Sequence, residues 1–391
     1  MDIILIIFSL LLPIAWFFGY RKGKVLSSES DSEQHLGLSR KYFTGLNYLL
    51  NEESDKAIDT FVSMLEVDSE TVETHLALGN LFRKRGEIDK AIRIHQNLIA
   101  RPSLSSEHRK QALMSLGYDY MAAGLLERAE NIFKELIFDS HHKTSSFKQL
   151  LQIYQQTKDW QNAIKIAEQL HQSGHKAYNR EIAHFYCELA EIQINDHAYK
   201  QATPYLKKAF VIEPQSARAT LLSGNIYHVT GQFKQAVRTY KNLIKNDIDI
   251  LPAALDNILD CFDKLGDHKG LLTFLREAIE QGAGISVILQ YATELQSREN
   301  DHVAAKYLAD TMIKHPSIKG LLELINLHLK HSSESGRPSL LMLKDVVTKL
   351  LKNKPVYQCG NCGFSAKTLF WQCPTCKSWG NVKPIRGIEG E

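Results

Sequence analysis

The residues with the clearest chemistry stand at the end of the chain. Cys359, Cys362, Cys373 and Cys376 lie in YQCGNCGFSAKTLFWQCPTCKSW with the spacing C-x2-C-x10-C-x2-C. Each C-x2-C pair can wrap a tight turn whose two thiolates point at one ion, and Gly363 and Pro374 suit such turns. Four thiolates make a soft tetrahedral site, right for zinc or for a single iron, with no open position for a substrate. The ion's role there is structural or recognitional. Tyr357, Phe364, Phe370, Trp371 and Trp379 supply a candidate miniature core, and a segment this small needs its metal to fold. Four of the six cysteines crowd into the last 33 residues, while Cys187 and Cys261 stand alone. That distribution describes a metal site in a reducing compartment, not a disulfide scaffold.

Catalytic constellations are missing. The 391 residues hold no G-x-x-x-x-G-K-[ST], no H-E-x-x-H and no G-x-S-x-G. His184 and Cys187, at i and i+3 in AHFYCEL, read as a buried helical pair rather than half a metal site. A formal net charge of +3, with both signs interspersed, lacks the concentrated basic face of a nucleic-acid binder. The chain reads as a non-enzyme.

The elements that must carry the cysteine module are helical and repeated. A Gly followed twelve residues later by an Ala recurs at Gly45/Ala57, Gly79/Ala91, Gly117/Ala129 and Gly224/Ala236. The Ala series continues through Ala163, Ala202 and Ala304, in steps of 34, 38, 34, 39, 34 and 68 residues. The last step spans two repeats, with a degenerate one near Gly270. An aromatic follows the Gly position by three in Tyr48, Phe82, Tyr120, Tyr154 and Tyr227. The longer steps predict insertions in Arg101 to Lys110 and in His171 to Arg180, and Pro214 and Pro316 stop helices.

This pattern resembles the tetratricopeptide repeat family, whose 34-residue unit packs two helices through small residues at its eighth and twentieth positions. The resemblance implies an all-α superhelix of about eight repeats, with a concave groove lined by the first helix of each. It places Asn80, Arg83, Lys84, Tyr118, Gln152 and Gln156 on that groove as candidate partner-binding residues, against the alternative of an ordinary solvated polar face.

At the other end, Ile3 to Tyr20 (IILIIFSLLLPIAWFFGY) is eighteen residues without a formal charge. As a helix it spans roughly 27 Å, close to the thickness of a bilayer's hydrocarbon. Aromatic residues cluster at its far end and Arg21, Lys22 and Lys24 follow, so the positive-inside rule keeps the rest of the chain on the cytoplasmic side. A cleaved signal would carry its basic flank on the other side. The expected organisation is a single-pass anchor at 1–20, a basic flank and linker at 21–37, the repeats at 38–316, degenerate capping helices at 317–354 and the metal module at 355–391.

Anchor, repeats and four-cysteine module together resemble the lipopolysaccharide assembly protein B family of Gram-negative inner membranes. The likeness is sharpest in LSRKYFTGLNYLL (Leu38 to Leu50), LGNLFRKRGEIDKAIRIHQ (Leu78 to Gln96), QLLQIYQQTKDWQNAI (Gln149 to Ile164), EIAHFYCELA (Glu181 to Ala190) and KPIRG (Lys383 to Gly387). It implies an adaptor that helps a membrane AAA+ protease degrade the deacetylase committing precursors to lipid A, alongside other lipopolysaccharide assembly proteins. The family's module is rubredoxin-like and iron-binding, so the resemblance favours iron on Cys359, Cys362, Cys373 and Cys376, whereas coordination chemistry alone slightly favours zinc. A structural organiser of lipopolysaccharide synthesis and export, and a redox- or metal-sensing regulator, are the alternative readings.

Overall fold

The computed structural model describes residues 43–391 apart from 49, 52, 54–55, 58–59, 61–71, 173–177, 332–333, 335 and 353. The apolar run of residues 3–20 and its linker lie outside the described residues. Among the described residues, no helix is long and apolar enough to cross a membrane.

From residue 72 onward the described chain is a succession of helix pairs. They are α1 (Val72–Lys84) with α2 (Ile88–Ile99), α3 (Ser106–Ala122) with α4 (Leu126–Leu136), and α5 (Lys143–Gln156) with α6 (Trp160–Gln172). Next come α7 (Asn179–Asn195) with α8 (Tyr199–Ile212), and α9 (Ala217–Val229) with α10 (Phe233–Asn246). A 3-10 segment, Ile248–Ala254, leads into α11 (Leu255–Leu265) with α12 (His268–Glu280). The last pairs are α13 (Ile285–Arg298) with α14 (Asp301–Lys314), and α15 (Ile318–His331) with α16 (Arg337–Lys352). A three-stranded antiparallel sheet closes the chain, with β1 (Tyr357–Cys359) between β2 (Ser365–Ala366) and β3 (Val382–Pro384). The chain divides into two compact units, Met1–Leu150 and Leu151–Glu391.

The recurring Gly and aromatic positions have distinct mechanical roles. A side-chain carbon on Gly79 would lie 2.4 Å from the His95 ring, and one on Gly117 would lie 2.7 Å from Phe133. On Gly224 it would lie 2.2 Å from Tyr240. The first helix therefore gives up its side chain where the second inserts a ring, four residues beyond the recurring alanine. Where the register puts a larger residue on the first helix, the second shrinks: Leu151 stands with Ala167. The reverse holds where the first helix has alanine, so Ala190 stands with Leu206 and Ala292 with Leu308, all buried. The repeat near Gly270 is a full helix pair, with Ile258 and Phe274 buried at these two positions.

The aromatic positions close the turns. One left-handed residue follows the first helix of six pairs: Gly86, Gly124, Lys158, His197, Gly231 and Gly266. The next amide then reaches back to the aromatic residue's carbonyl, from Glu87 to Phe82 at 3.0 Å, Leu125 to Tyr120 at 2.9 Å, Asp159 to Tyr154 at 2.9 Å and Gln232 to Tyr227 at 2.8 Å. These are the 6→1 bonds of a Schellman closure, which satisfy carbonyls the helix end would leave open.

Replacing Gly224 by Ala is expected to cost about 1–3 kcal/mol by overpacking against Tyr240. In a Tyr240→Leu background, which imitates the Ala190/Leu206 pair, the same change should become nearly neutral. Urea-unfolding midpoints of the four proteins in this cycle check it; equal costs in both backgrounds would show that the ring is not what the glycine accommodates.

Candidate metal centre

The four expected ligands converge. Their Sγ atoms all lie within 4.8 Å of one another, with Cys359 to Cys376 at 3.8 Å and Cys362 to Cys373 at 3.6 Å. A tetrahedron of thiolates at metal–sulfur bonds of about 2.3 Å has an S–S edge of about 3.8 Å, so the cage fits one ion. Among the described residues no other group of His, Cys, Asp or Glu side chains converges in this way.

Two turns of similar build aim the sulfurs. In the first, the Cys359 amide donates to Phe364 O at 2.8 Å and Gly363 N donates back to Cys359 O at 2.9 Å, with Gly363 left-handed at φ 77°. In the second, Cys373 N donates to Ser378 O at 2.9 Å and Lys377 N to Cys373 O at 2.9 Å, with Lys377 left-handed at φ 59°. The donors around the cage favour thiolate. The Ser378 hydroxyl, 3.0 Å away, and the Asn361 side chain hold the Cys376 thiol down at about 5. Burial pushes Cys359 up, but the amides of Cys362 and Asn361, the Ser378 hydroxyl and the Cys373 thiol together leave its pKa lowered. At Cys362 the Phe364 amide works toward ionisation, while desolvation and the neighbouring thiols prevail and push it up to about 12. Four thiols this close can all ionise only around a cation, which is the chemistry of a closed metal cage.

The aromatic residues divide between two tasks. Tyr357, Phe364 and Leu369 pack beside Cys359, Cys373 and Val382 as the module's own small core. Trp371 and Trp379, expected there too, face the helices instead. Trp379 is 4% exposed, stacked on His184 at 5.2 Å and edge-on to Phe185 at 5.6 Å and Trp160 at 5.9 Å. Its indole N–H donates to Gln155 Oε1 at 3.0 Å, which also accepts from Gln372 Nε2 at 3.0 Å. Trp371 packs with Leu369 against the core of α10 to α13. The physical reason is size: two indoles are more apolar surface than a three-stranded module can enclose.

A buried cation ties this seat together. Arg218, 2% exposed, holds its guanidinium over Trp371 at 5.5 Å and Trp379 at 5.9 Å. Its Nη2 donates to Glu188 at 2.7 Å and also to Glu191. Burial opposes its charge, but Glu188 and Glu191 outweigh burial and raise its pKa. Arg180 Nη2 donates to Gly380 O at 3.1 Å, Lys383 pairs with Asp247, and Arg386 Nη1 donates to Gly282 O at 2.8 Å while its Nε holds Asp249 at 2.8 Å. The last residue, Glu391, accepts from Ser286 N at 3.0 Å and from Lys319 at 2.8 Å, at the N-terminal end of α13. These contacts place the metal module on the first helices of the second unit.

His184 and Cys187 do not form a metal site. His184 lies under Trp379, its pKa pushed down to about 3 by burial and then by Arg218 and Arg180. Burial likewise pushes the Cys187 thiol up to about 12.

The candidate groove residues fall in both units. In the first, Arg83 Nη1 donates to Asp119 Oδ1 at 2.7 Å and to Ser115 O at 3.2 Å, its Nη2 donates to Asn80 Oδ1 at 2.7 Å, and it lies over Tyr118 at 5.4 Å. Lys84 is exposed beside them. In the second, Gln152 and Gln156 flank Gln155 on α5. Sequence reasoning passed over Gln155, Arg180, Arg218 and Asp119. The usable signal was the surplus of tryptophan in the module, which demanded a partner surface.

Taken together, the geometry defines a helical-repeat protein of tetratricopeptide type that seats a rubredoxin-like four-thiolate module on its own repeats. Residues 357–384 match the family described as rubredoxin metal binding domain, and 74–108 match the tetratricopeptide repeat. Over 382 residues the chain is 39% identical to lipopolysaccharide assembly protein B of Escherichia coli strain K12, covering 97% of this chain and 98% of the relative. The Haemophilus influenzae protein of the same name is 33% identical over 390 residues, at 97% and 98% coverage. The chain belongs to the lipopolysaccharide assembly protein B family. Among solved structures, a tetratricopeptide repeat protein from Parabacteroides merdae aligns over 71% of this chain and all of its own, at 13% identity and a TM-score of 0.32.

The neutral His184 gives the assembly a pH dependence. The unfolded imidazole titrates near 6.5 whereas the folded one stays neutral to about 3, so the unfolded state binds more protons between these values. Stability therefore falls as pH drops from 6.5 toward 3, by roughly 2 kcal/mol between pH 7 and pH 5. Urea melts at the two pH values should show this loss in the wild type and a smaller one in His184→Gln; identical losses would assign the effect elsewhere.

Proposed function

We propose that this chain is a membrane-anchored adaptor that restrains lipopolysaccharide synthesis by presenting the lipid A-committing deacetylase to a membrane AAA+ protease. Kinship with lipopolysaccharide assembly protein B over 97% of the chain supports the pathway. The observation that supports an adaptor over an enzyme is the closed four-thiolate cage set on a helical array, with every ligand position taken by protein. Residues 1–20 anchor the chain in the bacterial inner membrane and keep its bulk on the cytoplasmic side. Confinement to the membrane raises the effective concentration of the chain at a membrane protease. The repeats of 38–316 hold the substrate, with Asn80, Arg83, Lys84, Tyr118, Gln152 and Gln156 as candidate contacts. Helices at 317–354 end the array, and the module at 355–391 stiffens it.

Cys359, Cys362, Cys373 and Cys376 hold one iron ion in this reading, and the ion supplies the cross-link that folds the module. The chain's own residues do the rest: Ser378 and Asn361 favour the thiolates, and Trp379 and Arg218 seat the module.

The test is the half-life of the deacetylase in cells without the chain, complemented by the wild type, a form lacking residues 1–20, or Cys373→Ser. Severalfold stabilisation of the deacetylase without the chain, reversed by the wild type alone, is expected. An unchanged half-life overturns the adaptor and favours an organiser of the synthesis machinery. Metal analysis of anaerobically purified protein should find one iron per chain; one zinc would overturn that assignment.

A further inference from the structure

The last helix of the array presents an apolar face that no described residue covers. α16 packs on α15 through Leu340, Val347 and Leu351, against Ile325 and Leu329. Yet Leu341, Met342, Leu343, Val346 and Leu350 remain 44% to 72% exposed. Met342, Val346 and Leu350 recur at i, i+4 and i+8 and make one stripe with Leu343 beside them. In a repeat array this stripe is where a following unit would pack. Here the chain turns away instead, to build the metal module. Five large exposed apolar residues on a helix of sixteen are a functional surface rather than scattered exposure.

The charge around the stripe says what covers it. Residues 317–354 carry seven basic and three acidic side chains, a net +4, whereas the whole chain is +3. Within α16, Lys349 pairs with Asp345 at 2.6 Å. Arg337, Lys344 and Lys352 form no ion pair among the described residues. A second copy would bring two such cationic helices together, which like-charge repulsion opposes. Arg337 and Lys344 lie on the row of Leu340, Val347 and Leu351 that faces α15, whereas Lys349 and Lys352 fall on the open side. An apolar stripe flanked by lysines in a segment of net positive charge is the composition of a helix that lies in the surface of an anionic bilayer.

We propose that α16 is an interfacial helix, sinking Met342, Leu343, Val346 and Leu350 into the headgroup boundary while Lys349 and Lys352 meet anionic lipid. The inference rests on the anchored reading above, which puts the chain beside such a surface. It adds a second membrane contact, so the array is held at two places, not one.

Full-length protein reconstituted into phosphatidylglycerol/phosphatidylethanolamine vesicles, or into phosphatidylcholine vesicles, tests it by amide hydrogen exchange over 337–352. Exchange should be about tenfold slower in the anionic vesicles than in phosphatidylcholine. The protection should vanish in Met342→Glu/Leu350→Glu, whose solvent-facing positions leave the fold intact, as exchange elsewhere in the array would report. Equal exchange in both lipids overturns the inference. Protection that appears in phosphatidylcholine and grows with protein density assigns the face to a second copy and overturns it too. Flotation of the same samples separates the two readings: protein that floats without protection of α16 refutes the interfacial helix alone, and protein that fails to float refutes the anchor as well.

Discussion

Arg218 carries a positive charge to a buried position, and the arrangement around it explains much of the second unit. A buried guanidinium is costly unless it is paired and its donors are met. Glu188 and Glu191 on α7 supply the counter-charge, and the faces of Trp371 and Trp379 cover the plane. Among the described residues its Nε and Nη1 have no hydrogen-bond partner, and the two ring faces lie over the guanidinium. The repeats and the metal module thus each complete the other's unsatisfied chemistry. Without the module Arg218 would lose its cover, and without the repeats the two indoles would stand in water.

The metal cage belongs to the same balance. Its own core is small, made from Tyr357, Phe364, Leu369 and Val382 around the cysteines. Such a core cannot hold a fold against chain entropy without a cross-link. Metal, module and docking surface are therefore coupled: losing the ion loosens the strands, and loosened strands release Trp379 from Gln155, His184 and Phe185. The neutral His184 under Trp379 makes this coupling sensitive to protons as well.

Side chains that a repeat array usually offers to a partner are here engaged by the chain's own end. Gln155, Arg180 and Arg218 contact the module, and Ser286 and Lys319 hold the final residue. Gln152 and Gln156 beside Gln155, and Lys84 beside the Arg83 network, stay exposed.

By itself the sequence determined the local rules. The 34-residue spacing of small residues places the helix pairs, because a small residue on one helix makes room for a larger one on the other, as Gly224 admits Tyr240. The two C-x2-C turns bring four sulfurs together because the turn geometry is short-range and the ion accepts one shape. Only the tertiary structure decided where the module sits, which roles Trp371 and Trp379 take, and that Arg218 joins residues from α7, α9 and the module. Those choices depend on side chains as far apart in sequence as Gln155 and Trp379, whose complementarity has no period or motif to announce it. Spacing is a local constraint and can be read along the chain; the satisfaction of a buried charge is a property of everything that surrounds it.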